Sequence, residues 1–169
     1  MPPNKLISIV IPAYNETENI PKICSLIDTI FKTIPYYRYE IILVADGCTD
    51  NTMETIEELI SINERIFYIE FSRNFGHQLA LKAGMDYASG DCMISLDCDL
   101  QHPVDLIPEL LKKWEEGFEV VYTIRQEDKK LPIGKRLSSK LFYKTLNSLS
   151  DVEIETGSAD FWTEMWFLY

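Results

Sequence analysis

The 169-residue sequence has no CxxC pair, no G-x-G-x-x-G and no run near the ~18 apolar residues needed to cross a bilayer. The missing glycine fingerprint excludes a nicotinamide dehydrogenase of the dinucleotide-binding kind. Four cysteines, Cys24, Cys48, Cys92 and Cys98, keep no zinc-like spacing, and three sit in or beside apolar runs. They read as buried free thiols of a reducing compartment. Bases are also scarce: 16 Lys plus Arg stand against 27 Asp plus Glu, a net charge of −11. That excludes a general nucleic-acid binder, which needs a basic footprint. The opening Met-Pro-Pro-Asn-Lys is no signal peptide, so the expectation is a soluble, cytoplasmic chain. Repeats, low-complexity segments and linkers are absent as well.

What is present alternates between two periodicities. Residues 6–11 (LISIVI) form a short β-branched run of the kind buried on both faces of a parallel sheet. Ile20, Ile23, Cys24, Ile27, Ile30, Phe31 and Ile34 then recur at helical spacing. The alternation continues with strands at 39–45, 66–71, 92–96 and 119–123, and helices at 52–62, 76–88 and from Leu106 to a stop at Gly117. Such alternation predicts one α/β domain with parallel strands joined by right-handed crossovers.

Ligands of an open parallel sheet bind beyond the carboxyl ends of its strands, and the unusual polar clusters fall there. The first strand runs into Pro12-Ala13-Tyr14-Asn15-Glu16, the second into Asp46-Gly47-Cys48-Thr49-Asp50, and the fourth into Asp97-Cys98-Asp99-Leu100-Gln101-His102-Pro103. If Asp97-Cys98-Asp99 leaves its strand extended, the two carboxylates share a face and Cys98 turns to the core. Paired hard oxygens describe a Mg²⁺ or Mn²⁺ site, with Gln101 able to add an amide oxygen. The competing reading makes Asp97 and Asp99 turn residues. Asp46 suits a ribose or base contact, and Gly47 a close ligand approach. Alternatively they form a plain turn, with Asp50 and Asn51 as helix caps. His77 and His102 are the only histidines, and each alone is more often structural. Residues 72–76, between the third strand and third helix, read as a buttress. Arg125, Lys129, Lys130, Lys135, Arg136, Lys140 and Lys144 face only Glu127 and Asp128. A helix over 135–148 would carry Arg136, Lys140 and Lys144 as one basic stripe. It either lies on an anionic membrane surface or is simply solvated.

Ile11-Pro12-Ala13-Tyr14-Asn15-Glu16, Asp46-Gly47-Cys48-Thr49-Asp50, Arg73-Asn74-Phe75-Gly76-His77-Gln78 and Leu96-Asp97-Cys98-Asp99-Leu100-Gln101-His102-Pro103 resemble, in order and spacing, the inverting family 2 glycosyltransferases. The likeness runs over residues 5–161 and is greatest to the dolichyl-phosphate mannose synthase and bacterial polyprenyl-phosphate glucosyltransferase branch. It implies a GT-A fold, a nucleotide-sugar donor and a divalent metal, Mg²⁺ or Mn²⁺. On it, Asp97, Asp99 and Gln101 hold the metal and the donor diphosphate. Asp46 and Gly47, with Pro12, Ala13, Tyr14, Asn15 and Glu16, hold the nucleoside. Arg125 and Arg136 meet phosphate, and Asp160, in Gly157-Ser158-Ala159-Asp160-Phe161, lies beside the acceptor.

Ala45 and Cys48 depart from the family's usual Asp-Asp-Gly-Ser, and Trp162 stands where Arg generally follows Asp-Phe. The reading is therefore a catalytic domain over 1–161 and a truncated or aberrant apolar tail over 162–169. The expected reaction moves a hexose, from a UDP-glucose or GDP-mannose type donor, to a polyprenyl or dolichyl phosphate with inversion. The expected location is the inner face of a membrane, where full-length relatives are anchored. Two alternatives stay open: a catalytically incomplete donor-binding fragment, and a family 2 transferase with a saccharide acceptor. No oligomeric state is implied. A phospho-acceptor receiver, also rich in acids at strand ends, is excluded because the third strand ends at Phe71-Ser72 and the fifth lacks Lys.

Overall fold

The computed structural model describes residues 4–100, 104–123 and 164–166. The chain divides into two compact units, residues 1–121 with 163–169 and residues 122–162, and the fold below is that of the first. Its elements follow in the order β1 (Leu6–Ala13), α1 (Ile20–Thr33), β2 (Arg38–Ala45), α2 (Thr52–Ile62), β3 (Ile66–Glu70), α3 (His77–Tyr87) and β4 (Cys92–Ser95). A 3-10 turn (Val104–Leu106), α4 (Ile107–Glu115), β5 (Val121–Tyr122) and β6 (Glu164–Trp166) complete them.

The strands lie in the order β3-β2-β1-β4-β6-β5. β1 pairs in parallel with β2 from Leu6↔Arg38 to Ala13↔Ala45, and with β4 from Ile7↔Cys92 to Val10↔Ser95. β2 pairs in parallel with β3. The alternation expected of the sequence is therefore a mostly parallel α/β sheet. Two departures concern the C-terminal half. The fifth strand shortens to Val121–Tyr122, and Glu164–Trp166, inside the expected tail, runs antiparallel to β4 with Met93 opposite Trp166.

Side chains alternate along β1. Ile7, Ile9, Ile11 and Ala13 join a core with Ile20, Ile23, Ile27 and Phe31 of α1, Ile56 of α2, and Ile107, Leu110 and Leu111 of α4. Val10 points the other way, to Ile42 and Val44 of β2, Ala80 of α3 and Met93 of β4. Each fully buried isoleucine contributes roughly 1.5–3 kcal/mol, so this double burial fixes the sheet between its two helix layers. Ser8 is the polar member of the buried strand. Its hydroxyl donates to Glu40 Oε1 at 2.6 Å and accepts from the Gly90 amide at 2.8 Å, which satisfies it inside the core.

α3 sits unusually close to the sheet. A Cβ built on Gly84 would fall 2.3 Å from Val10 Cγ1 and 3.1 Å from Val44 Cγ2. In an exposed helix, Gly→Ala gains about 1 kcal/mol of propensity. Here overpacking against two stiff β-branched residues reverses the sign. Gly84→Ala is expected to lower stability by about 1–3 kcal/mol in urea titration, and Val10→Ala in the same chain to relieve most of that loss. A Gly84→Ala chain as stable as wild type would mean that α3 rides higher than this.

Candidate functional site

The tip of β1 is shaped by where its neighbour stops. The carbonyl of Val10 accepts from the Leu96 amide, so Val10 faces β4, and Pro12, two residues on, faces the same edge. β4 ends at Ser95, and Pro12, which has no N–H, cannot donate the next bond of the β1–β4 ladder. The turn that follows is tied to the start of α2. Asn15 has a positive φ of 57°, and its Oδ1 accepts from the Thr49 amide at 2.8 Å. The Glu16 amide donates to Thr52 Oγ1 at 2.9 Å, and the Thr17 hydroxyl to Asp50 Oδ2 at 2.6 Å. Desolvation pushes the Asp50 carboxyl up, but hydrogen bonds from Thr17 and Thr52 outweigh it and leave the group below its usual range. Asp50 also accepts from the Thr52 amide at 3.1 Å, whereas Asn51 caps nothing with its side chain. Tyr14 stands nearly half exposed at this tip.

Asp46 lies one residue past β2 and is only 3 % exposed. Its two oxygens accept from backbone amides across the sheet edge, Oδ1 from Phe75 at 2.7 Å and Oδ2 from Gly76 at 2.9 Å. Gly47 beside it has a φ of +64°, and a Cβ there would meet Arg73 C at 2.1 Å and Asn74 N at 2.3 Å. Both residues of the corner are therefore occupied by the loop that enters α3. The Arg73 guanidinium lies 4.7 Å over the Phe75 ring, which stands edge-on to Phe71.

β4 ends at Ser95, and Cys98 and Asp99 already lie in a turn, with Leu100 at a φ of 60°. The same-face argument for an extended Asp97-Cys98-Asp99 therefore gives way to turn geometry. Cys98 is still buried, Asp97 is partly exposed and Asp99 is exposed. Asp97 Oδ1 lies 3.8 Å from His77 Nε2, the first residue of α3. Two exposed-side carboxylates on one turn are hard donors that suit Mg²⁺ or Mn²⁺. Among the described residues, no three of His, Cys, Asp and Glu converge as a complete metal set. Asp97 and Asp99 alone supply two hard oxygen donors, short of a complete metal set.

The structure brings Pro12, Ala13, Tyr14, Asn15, Glu16, Asp46, Gly47, Asp97 and Asp99 to one end of the sheet, on the adjacent strands β2, β1 and β4. Neighbouring strands lie about 4.8 Å apart, so the three clusters span about two strand spacings. Gln101, His102, Arg125, Arg136, Asp160 and the basic stretch 135–148 lie outside the described residues. Sequence reasoning treated His77 as structural and missed its approach to Asp97. The available signal was its place at the end of Asn74-Phe75-Gly76-His77, in the loop that leads from the third strand into the third helix.

An α/β sheet with acids and a backbone-lined corner at its carboxyl edge has its candidate site where open parallel sheets bind their ligands. The family model described as Glycosyl transferase family 2 matches residues 8–167. The chain belongs to that family. It is 39 % identical over 158 residues to an uncharacterized glycosyltransferase of Bacillus subtilis (strain 168), covering 91 % of this chain and 47 % of the relative. It is 37 % identical over 155 residues to the bactoprenol glucosyl transferase of Shigella phage SfV, covering 92 % and 50 %. The chain thus spans about half the length of the curated relatives it matches. Glucosyl-3-phosphoglycerate synthase from Mycobacterium tuberculosis, solved with Mn²⁺, uridine diphosphate and phosphoglyceric acid, superposes with a TM-score of 0.63. That similarity covers 95 % of this chain and 55 % of the other at 22 % identity.

The cysteines report on how the site is packed. Burial, joined by nearby Asp28, raises the Cys24 thiol to about 12. Burial likewise raises Cys92 to about 12 against an opposing pull from Lys5, and lifts Cys98 further. Cys48 is half-buried at the corner, with its sulfur 3.6 Å from the Ala13 carbonyl. At pH 8 a thiol titrating near 12 is about one part in ten thousand thiolate. A chromogenic disulfide reagent is therefore expected to modify Cys48 well before the others, which should react only in denaturant. Fast modification of Cys98 would show that the turn after β4 opens readily.

Proposed function

We propose that the chain carries the donor-binding half of a glycosyltransferase, one that moves a hexose from a nucleotide sugar to a polyprenyl phosphate with inversion at the anomeric carbon. The observation that carries this reading is the meeting of the 12–16 turn, the Asp46-Gly47 corner and the Asp97/Asp99 turn at one sheet edge. The 37 % identity to a bactoprenol glucosyl transferase favours a lipid-phosphate acceptor over a saccharide.

In this reading the nucleoside lies against Pro12, Ala13, Tyr14, Asn15 and Glu16, next to the Asp46-Gly47 corner, where both Asp46 oxygens are taken up by the loop into α3. Asp97 and Asp99, with Gln101, hold Mg²⁺ or Mn²⁺. The bound ion supplies charge neutralisation at the departing diphosphate. Arg125 and Arg136 meet phosphate, and Asp160 orients the acceptor. A lipid phosphate is already ionised near neutral pH, so its oxygen needs holding in line more than it needs a base. The catalytic domain extends over 1–161. The basic stretch 135–148 rests on an anionic membrane face, which places the protein peripherally on the cytoplasmic side. Among the described residues, no helix is long and apolar enough to cross a membrane.

Calorimetry with UDP and GDP, each with and without Mn²⁺, tests the donor half of this reading. Asp99→Asn is expected to weaken Mn²⁺-dependent nucleoside diphosphate binding at least tenfold, about 1.4 kcal/mol. Unchanged affinity in the variant, or full binding in EDTA, would remove the metal from the site. The acceptor half is tested by supplying polyprenyl phosphate in detergent with whichever nucleotide sugar binds. The expected product is a glycolipid of inverted anomeric configuration, and retained configuration would exclude the in-line displacement.

A further inference from the structure

Asp46 sits at the strand end where a nucleoside contact is expected, yet both of its oxygens are turned to the chain's own backbone. Those two amides belong to the last loop residues before α3. Gly76 is the N-cap of α3 and offers no side chain to cap it. Asp46 supplies the missing group from another element: a carboxylate on two amides at the positive end of an 11-residue helix. Charge-assisted bonds of this kind are roughly twice as strong as neutral ones. Gly47 completes the fit, because its missing Cβ is the volume filled by Arg73 and Asn74. The next residue after the clamped pair is His77, whose Nε2 lies 3.8 Å from Asp97 Oδ1.

We propose that Asp46 is a positioning residue, which clamps the 73–76 loop and thereby sets His77 beside Asp97 at the donor diphosphate, instead of recognising the nucleoside. The second half rests on the donor-site reading above; the clamp itself does not. Its loss should leave contacts to base and ribose intact and weaken what the diphosphate end supplies. Asp46→Asn is the suitable change, since it keeps the shape and one acceptor oxygen but turns an NH₂ toward an amide donor. His77→Ala removes the imidazole without touching the loop's backbone bonds.

Amide hydrogen exchange followed by NMR on the ligand-free chain tests the clamp directly. The Phe75 and Gly76 amides are expected to be at least tenfold slower than their intrinsic rates in the wild-type chain, and to lose most of that protection in Asp46→Asn. Unprotected amides in the wild type, or protection unchanged in the variant, would overturn the clamp even if other variants fail to fold. Calorimetry with Mn²⁺ and UDP or GDP tests the consequence. Asp46→Asn and His77→Ala should each weaken binding about tenfold, and the double variant no more than either alone. UMP or GMP, which present the same nucleoside without the diphosphate, should bind Asp46→Asn within about twofold of wild type. Multiplying losses in the double variant, or equal loss of monophosphate and diphosphate, would assign Asp46 to the nucleoside and overturn the proposal. Should neither diphosphate bind the wild-type chain, the donor-site reading fails and, with it, the role of His77; the exchange data still decide the clamp.

Discussion

Strand β1 has parallel neighbours on both edges and a buried layer on both faces, and the position of the 12–16 turn follows from that enclosure. Ile7, Ile9 and Ile11 are fully buried on one face of β1 and Val10 on the other. Its register to β2 runs without interruption to Ala13↔Ala45, so the turn after β1 and the corner after β2 begin level with each other. The register to β4 ends three residues earlier, at Val10↔Ser95. Residues 96–99 then leave the sheet as loop and turn.

The corner after β2 couples two layers that the sheet alone would leave independent. α1 and α2 pack on one face with α4, while α3 packs on the other. Thr49, Asp50 and Thr52 bind the turn after β1 toward the α2 side. Asp46 and Gly47 engage the loop into α3 on the opposite side. A seven-residue stretch thus sets the geometry of both walls of the site. Close helix packing, through Gly84 against Val10, keeps α3 from answering a disturbed loop by lifting away as a unit.

Much of this was legible from pattern alone. The 52–62 helix has the bounds that its apolar spacing predicts, and Gly117 has the positive φ expected of a residue closing a helix. The convergence of acids on one edge followed from strand–helix alternation, because parallel strands carry all their carboxyl ends to the same side. What could not be read was partner identity where the partner is backbone. Asp46 is engaged by the amides of Phe75 and Gly76, and every residue but proline carries such an amide, so no side-chain type marks the donors in a sequence. The turn at Cys98 was hidden for a related reason: Ile94-Ser95-Leu96-Asp97-Cys98 alternates well enough to pass for strand. The pairing of Glu164–Trp166 with β4 joins segments some seventy residues apart, and no local spacing reports a contact of that range.

Three aspartates at one sheet edge illustrate how environment assigns different work to one side chain. Asp46 is buried and its oxygens accept two amides, so its charge is met by fixed dipoles belonging to the protein. Such a group is well placed to hold geometry and poorly placed to receive a ligand, since any newcomer must displace a bond already made. Asp97 and Asp99 lie on a turn at the solvent side, in a chain of net charge −11. Carboxylate oxygens on the solvent side are the hard donor type that suits Mg²⁺ or Mn²⁺. His77 stands between these acids, attached through the loop to the buried one and lying 3.8 Å from the partly exposed Asp97. The acids of the edge therefore divide by burial: the dry carboxylate orders the backbone, and the other two lie toward solvent.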